Sequence, residues 1–426
     1  MQKRFCMKSA FLQRLLWQDL LFFMIHLFRK YFKLRTSFRK LSVFVLVVCS
    51  VSFVPDIQAG GELRRPFQGV RNLGMGNVGV ALSHDENALF YNPAGLAAVD
   101  TTIVSIPFVN EVSKDTLSLA SQVTKLGSAS TADTVALALD KQIHYRNMTA
   151  LNVIIPFGSL MTFGAAGGLE TTIDLSATNP VGIELNYGMR LDQIVNIGAG
   201  FSLDRGRWLI GANVEQYQRC DYPVKTVAMS DLLNSSNLAD DIGFCKTSLL
   251  RKGQTYGFGF QNRMSSFSTL RLVWGMSARN LGGLKFSRND NETNPVDQKA
   301  EYNIGIAMTP FEGILFRNFY EIDIRDLTFE HSYDTYCQKN KNSSDCNMKR
   351  IHIGTEFGFW PIDSGASALA IRLGWNQGYV SKGLEINPLI FFRGLSIQYA
   401  DYKVETGNSA GDRPERRRTL QVNLGF

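Results

Sequence analysis

From about residue 100 to its end the chain repeats one pattern, segments of around ten residues in which apolar and polar side chains alternate. Successive side chains of an extended strand point to opposite faces, so such alternation gives every strand one apolar and one polar side. No segment holds the roughly 18 continuous apolar residues of a membrane-crossing helix, which excludes a helical spanning protein. The closing residues carry the pattern without a break: Leu420, Val422, Leu424 and Phe426 share one face, and Thr419, Gln421, Asn423 and Gly425 the other. Fifteen segments qualify as candidate strands: 101–109, 145–156, 160–172, 182–189, 194–203, 208–217, 255–262, 269–280, 302–309, 314–324, 350–359, 368–375, 383–389, 395–403 and 417–426. An even-stranded barrel uses fourteen of them, and 101–109 is the one best given to whatever precedes the barrel.

Adjacent connections in an up-and-down barrel alternate between its two ends. If the last strand ends on the periplasmic side, counting backward puts 405–415, 326–349, 281–299 and 219–253 at the far end, and these are the long polar connections. The links 310–313 and 264–268 fall at the near end and are short, the asymmetry of bacterial barrels. Residues 113–142 read as partly helical and fit either an outer loop or a segment inside the barrel. Aromatics, 11% of the chain, gather toward segment ends at Trp208, Tyr217, Trp274, Trp360, Trp375, Tyr379 and Tyr399, as membrane-interface girdles require.

A formal charge of +7 invites a search for a polyanionic partner, but the charge is unevenly placed. Residues 1–59 hold ten of the 45 Lys and Arg and two of the 38 Asp and Glu, leaving 35 basic against 36 acidic groups in the remainder. No basic field is left for nucleic acid. The basic lead runs into the apolar stretch 41–54, then Pro55 and Ile57-Gln58-Ala59. That is the build of a secretory signal, with cleavage expected after Ala59 and either Met1 or Met24 as the start. A single-pass anchor and a lipoprotein processed at Cys49 are the competing readings. Export means an oxidising compartment. Four cysteines follow the leader, and of their three pairings the local one, Cys220 with Cys245 and Cys337 with Cys346, fits best because each pair brackets one polar loop. Neither pair has C-x-x-C spacing and no histidine lies at partner distance, so no metal is expected.

Residues 74–97 read GMGNVGVALSHDENALFYNPAGLA. Asn92-Pro93-Ala94-Gly95 forces a sharp turn. With its flanks, Leu73–Gly76, Asp85–Ala88 and Asn92–Leu96 in that order, the stretch strongly resembles the amino-terminal signature of the FadL-like outer-membrane barrels, a superfamily that also holds PorV-type secretion proteins. His84 stands where an acid is more usual, which changes local charge and not the turn. Segments 277–282, 350–356, 371–379 and 395–402 are similar to recurrent PorV-like pieces, so the resemblance covers roughly residues 66–426, and the closing alternation is similar to the carboxy-terminal recognition strand of outer-membrane proteins. Gly74, Gly76 and Gly79 also satisfy G-x-G-x-x-G, with Asp100 some twenty residues on, but Arg64, Arg65, Pro66 and Arg71 make a poor preceding strand and Pro93 interrupts any crossover helix. A nucleotide site is not expected.

The resemblance implies an all-β protein, a transmembrane up-and-down antiparallel barrel of about 14 strands. Residues 1–59 would be the leader, 60–100 an amino-terminal plug or hatch turning at Asn92, Pro93, Ala94 and Gly95, and 101–426 the barrel in a Gram-negative outer membrane. Gly74, Gly76 and Gly79 would give the plug its close backbone approach, Asn92 would hydrogen-bond the wall, and Pro93 would fix its φ. Leu420, Val422, Leu424 and Phe426 would form the assembly strand read by the barrel assembly machinery. No catalytic constellation is visible: there is no G-x-S-x-G or H-E-x-x-H, and His84, His144, His331 and His352 are isolated in sequence, so neither enzyme activity nor a cofactor is expected. The resemblance implies a channel for hydrophobic compounds such as long-chain fatty acids, with an apolar lumen pocket reaching the plug. Its alternative is a non-transporting, PorV-like barrel binding proteins of a secretion or conjugation system, with a sealed or polar lumen and a structured outer surface at 219–253 and 326–349.

Overall fold

The computed structural model describes residues 65–126, 141–178, 184–228, 245, 249–264, 270–289, 294–331, 335–341, 343–362, 365–388, 394–405 and 414–425. The leader, its cleavage point and Phe426 lie outside them. Among the described residues fourteen antiparallel strands form a closed barrel: β1 (Ile103–Ser113), β2 (Gln142–Phe157), β3 (Met161–Thr178), β4 (Glu184–Leu203), β5 (Trp208–Ala228), β6 (Arg251–Arg263), β7 (Val273–Phe286), β8 (Glu301–Glu312), β9 (Phe316–Ile324), β10 (Ile351–Pro361), β11 (Ser367–Asn376), β12 (Tyr379–Ile386), β13 (Leu395–Glu405) and β14 (Pro414–Gly425). Every strand pairs with its sequence neighbours, and β1 pairs with β14 to close the ring, Ser105 opposite Gly425 and Ser113 opposite Arg417. Closure leaves no strand edge exposed.

Two expectations are corrected here. Segment 101–109 belongs to the wall as the start of β1, which supplies the partner that β14 and β2 would otherwise both lack. Segments 182–189 and 194–203 are one strand, β4. The residues between them read as a polar break, yet Arg190 and Asp192 point into the barrel, where Arg190 Nε donates to Asp192 Oδ2 at 2.6 Å. A charge inside an alternating segment marks an inward position here and not a turn. For the same reason β5 and β7 run on into the stretches 219–228 and 281–286 that were expected to be loop.

The wall is apolar outside and polar within. Leu151, Phe163, Val195, Ile197, Tyr256, Ile306 and Leu384 are exposed on it, while Glu111, Asp192, Asn196, Asp323, Glu356 and Thr419 are buried. An apolar band of this extent suits hydrocarbon and not water. The strand ends that flank the short connections 158–160, 204–207 and 313–315 lie at one end of the barrel, and those that flank longer ones, Ser113 and Gln142, Ala228 and Arg251, Phe286 and Glu301, Ile324 and Ile351, at the other. The helix Lys114–Leu126 therefore belongs to the long-loop end. Outward rings collect near the short-turn end: Phe157 meets Phe163 at 5.4 Å, and Phe260 bridges Trp208 and Trp274 at 5.4 and 5.0 Å. Tyr217 and Tyr379, expected in a girdle, face the bore instead and donate their hydroxyls to Glu215 and Glu405. Strands β3, β4 and β5, at 18, 20 and 21 residues, outrun the roughly 9–11 that a bilayer needs.

Candidate functional site

The chain's own residues 65–100 occupy the bore. Their local shape follows from short helices separated by residues that turn left-handed. A helix over Val70–Gly74 ends where Gly76 (φ 71°) and Asn77 (φ 65°) reverse the chain. A Cβ on Gly76 would stand 2.3 Å from the Ile353 carbonyl of β10, so only glycine fits. After the single turn Ala88–Tyr91, Asn92 caps a 3-10 helix, Pro93–Ala98, with its Oδ1 accepting from Ala94 N at 3.1 Å and Pro93 in the first turn, where no N–H is needed. The other end of the same side chain, Nδ2, donates to Val80 O at 2.6 Å and to Met276 O of β7 at 3.2 Å, with Phe260 O of β6 at 3.4 Å. Gly95 packs so closely on Ser83 that a Cβ would fall 1.6 Å from its carbonyl oxygen. Gly74 lies against Gly383 of β12.

Wall carboxylates take up the segment's exposed backbone. Asp323 Oδ2 accepts from Gly79 N and Val80 N at 2.9 and 3.1 Å, and Glu321 Oε1 from Ala81 N and Leu82 N at 2.7 and 3.1 Å. Four consecutive amides are thereby held by two side chains of β9, each bond charge-assisted if its carboxylate is ionised. Gly76 N donates to Ser381 Oγ at 2.8 Å, and His352 Nδ1 donates to Gly76 O at 2.9 Å. Arg71 joins Asp85 at 2.6 Å to Glu356 of β10 at 2.9 Å, and Glu356 passes the network to Arg372 of β11 at 2.6 Å and through it to Glu385 of β12. Within the segment, burial alone would raise Asp85, but the charge and hydrogen bond of Arg71, with the backbone N–H of Asn87, hold it below the ordinary carboxylate value. Burial, then the charge of Arg71, pushes His84 down to about 4 and leaves it neutral; burial and the neighbouring Asp85 push Glu86 up to about 8.

On the β1–β4 side polar contacts are fewer, Phe67 N to Glu170 Oε2 at 2.9 Å, Arg146 Nη2 to Gln68 O at 3.3 Å and Asn196 Nδ2 to Leu89 O at 3.2 Å, and apolar packing adds to them. Phe67, Val70, Leu73, Leu89 and Phe90 pack in one buried cluster with Val109, Met148, Ala150, Ile154, Ala166 and Ile194 of the wall. The wall there presents an apolar stripe, which the segment's own side chains fill. Above the stripe the bore is ionic: His144 lies between Glu111 (3.0 Å) and Asp174 (2.6 Å), and Asp192 between Arg190 (2.6 Å) and Arg219 (2.5 Å).

Sequence reasoning named the turn residues but missed their receivers. Those are inward glycines, Gly200, Gly211, Gly259, Gly275, Gly354 and Gly374, against which residues 75–97 lie in contact with the bare wall, together with Glu321, Asp323 and Glu356. The signal was available: Gly198-x-Gly200, Gly257-x-Gly259 and Glu321-x-Asp323 repeat at strand spacing on the polar face. Cys220 is bonded to Cys245 and Cys337 to Cys346, with Cα separations of 5.8 and 5.5 Å, both at the long-loop end. Leu420 and Leu424 of β14 are exposed outward, Val422 is partly so, and Thr419 and Gln421 are buried inward. Among the described residues no group of three His, Cys, Asp or Glu is placed to hold a metal ion.

No protein-family model matches the chain, and no curated protein matches it. Solved structures do resemble it. The Pseudomonas putida toluene transporter TodX is 10% identical over 83% of this chain and 96% of its own, with a TM-score of 0.47. The Ralstonia pickettii toluene transporter TbuX is 11% identical over 84% and 97%, with a TM-score of 0.47. A Pseudomonas aeruginosa FadL homologue is 10% identical over 86% and 99%, with a TM-score of 0.44. At these values the site's function is argued from its own geometry.

Proposed function

We propose that the protein is an outer-membrane channel for hydrophobic compounds, of the long-chain fatty acid kind, gated by residues 65–100 acting as a plug. The observation that carries this reading is the division of the bore: over β9–β12 the plug is held by carboxylates and ion pairs, whereas over β1–β4 an apolar stripe packs against it beside fewer polar contacts, Phe67 N to Glu170, Arg146 to Gln68 O and Asn196 to Leu89 O. A permanent seal would be most stable with apolar contacts throughout, since buried ion pairs seldom exceed a hydrophobic replacement in stability and are best attested as switches. When the latches let go, the apolar stripe is the surface a hydrophobic compound follows, entering from the long-loop end outside the cell. The apolar outer band, the secretory leader and the outward row of β14 support insertion in the outer membrane by the barrel assembly machinery.

The test is binding and flux with the full chain refolded in detergent and then placed in liposomes. A fluorescent long-chain fatty acid is expected to bind saturably, and Asp323→Asn with Glu321→Gln to raise its transfer across the vesicle wall. Absence of saturable binding, with transfer unchanged in the double variant, overturns the reading.

One observation favours a second reading, a protein-binding barrel of a secretion or conjugation system. The loop 325–350 is braced by Cys337–Cys346 and by buried Arg350, which donates to Asp326 Oδ2 at 3.0 Å and Cys346 O at 2.6 Å. Photo-crosslinking from Gln338 in cells that captures one exported protein, alongside no fatty acid binding, moves the function there.

A further inference from the structure

Between the plug and β7–β9 lies a gap with room for a single water-sized group, lined among others by Arg65, Arg279, Arg325, Asn303, Tyr91 and Phe67. Three arginines line it. Arg65 is answered by Glu301, Nε to Oε2 at 3.1 Å and Nη2 to Oε1 at 2.5 Å. The other two are not answered in the same way. Arg279 comes no nearer to Glu215 than 3.6 Å, and Arg325 no nearer to Asp323 than 3.7 Å. Both carboxylates are engaged elsewhere, Glu215 by the Tyr217 hydroxyl at 2.5 Å and Asp323 by the plug amides of Gly79 and Val80. Arg325 is 1% exposed, with its guanidinium 5.0 Å above the Tyr91 ring, and its Nε and Nη2, like Arg279 Nε, are buried donors without an acceptor.

An unmet buried donor costs about 1–3 kcal/mol, and an uncompensated buried charge more. Burial, and against the pull of Glu301 the charges of Arg325 and Arg279, push Arg65 itself down to about 10. A water molecule in the gap would accept from these donors but leave the charge. An oxyanion such as phosphate, or the carboxylate of a bulky ligand, exceeds a single water in size.

We propose that this gap is a site for one small inorganic monoanion of halide size, which bridges Arg65 of the plug to Arg279 and Arg325 of the wall and so locks the plug shut. The site is independent of which compound the bore conducts and of whether it conducts at all.

The test uses the full chain in detergent, unfolded by heat at matched ionic strength in sodium chloride, sodium bromide or sodium gluconate. Chloride and bromide are expected to raise the midpoint by a few degrees over gluconate along a single-site saturation curve. That increment should vanish in Arg325→Gln and shrink in Arg279→Gln, and crystals grown in bromide should show one anomalous peak between Arg65, Arg279 and Arg325. Equal midpoints in all three salts overturn the proposal. So does a halide increment that survives undiminished in whichever of the two variants folds, the mark of a general salt effect, or a bromide peak only outside the gap.

Discussion

The wall from β9 to β12 and the wall from β1 to β4 enclose the same thirty-odd residues and meet them through different atoms. On the first arc the plug atoms nearest the wall are backbone: a Cβ added at Gly374 would stand 2.1 Å from Gly76 N, and one at Gly354 2.2 Å from Met75 O. On the second arc side-chain ends come to the fore, Leu96 Cδ2 at 2.8 Å from a Cβ on Gly164 and Phe67 Cε1 at 2.8 Å from one on Gly168, although at Gly200 the nearest plug atom is again backbone, Ala97 N at 2.6 Å. Backbone held by glycine and carboxylate has one position. Leucine and phenylalanine tips can rotate, so the second contact yields where the first must break. At Gly164 and Gly168, residues 65–100 therefore meet the wall more compliantly than at Gly354 and Gly374.

The sharpest way to break that contrast is Arg71→Met, which strips the cation from Asp85 and Glu356 at once. A loss of about 3–5 kcal/mol of unfolding free energy, read as a lower denaturation midpoint of the full chain, is expected, together with open-channel current in planar bilayers. An unchanged midpoint would mean the network does not hold the plug. Next in size is Gly374→Ala, at or above the upper end of the roughly 1–3 kcal/mol typical of overpacking, because backbone cannot turn aside. Its partner on the compliant arc, Gly164→Ala, should cost about 1 kcal/mol or less and leave current closed; equal losses in the two alanine variants would erase the distinction.

The smallest effect is that of pH. Glu86 binds its proton more tightly in the docked plug, at about 8, than in a released one near 4.5, so its contribution to docking is full below about 4.5 and lost as pH rises through 8. His84 runs the other way: docked at about 4 against 6.5 when released, its contribution is full above 6.5 and declines as pH falls toward 4. The two slopes oppose between about 4.5 and 6.5, and of the two only that of Glu86 continues above. Protease accessibility of residues 65–100 should rise between pH 6.5 and 8 and become flat there in Glu86→Gln. Persistence of the rise in that variant would assign it to another group.

The wall was legible because alternation has a single meaning in a barrel: Leu420 and Leu424 out, Thr419 and Gln421 in, can be read from spacing alone. Legibility failed where an inward charge imitated a loop, as at Arg190 and Asp192, and at strand ends that extend past the apolar band, since polar residues on both faces carry no period. The turn at Asn92-Pro93-Ala94-Gly95 announced itself through backbone demands that are local. What Asn92 holds did not, because Val80 O and Met276 O are carbonyls, which every residue has. Nor did the charge pattern reveal that Arg71 reaches Glu356, 285 residues away in sequence.

Thirteen of the barrel's fourteen pairings join strands adjacent in the chain, and the remaining one, β1 to β14, joins the first to the last. The segment inside precedes β1, so it leaves the ribosome before any of the cylinder that will surround it. With wall backbone at Gly211 brought so near that a Cβ would stand 2.3 Å from the Pro93 carbonyl, a ring already welded at that seam offers the segment no comfortable way in. The expected order of assembly is therefore that residues 65–100 lie down on an open, half-curved sheet before the row from Ser105–Gly425 to Ser113–Arg417 zips shut over them.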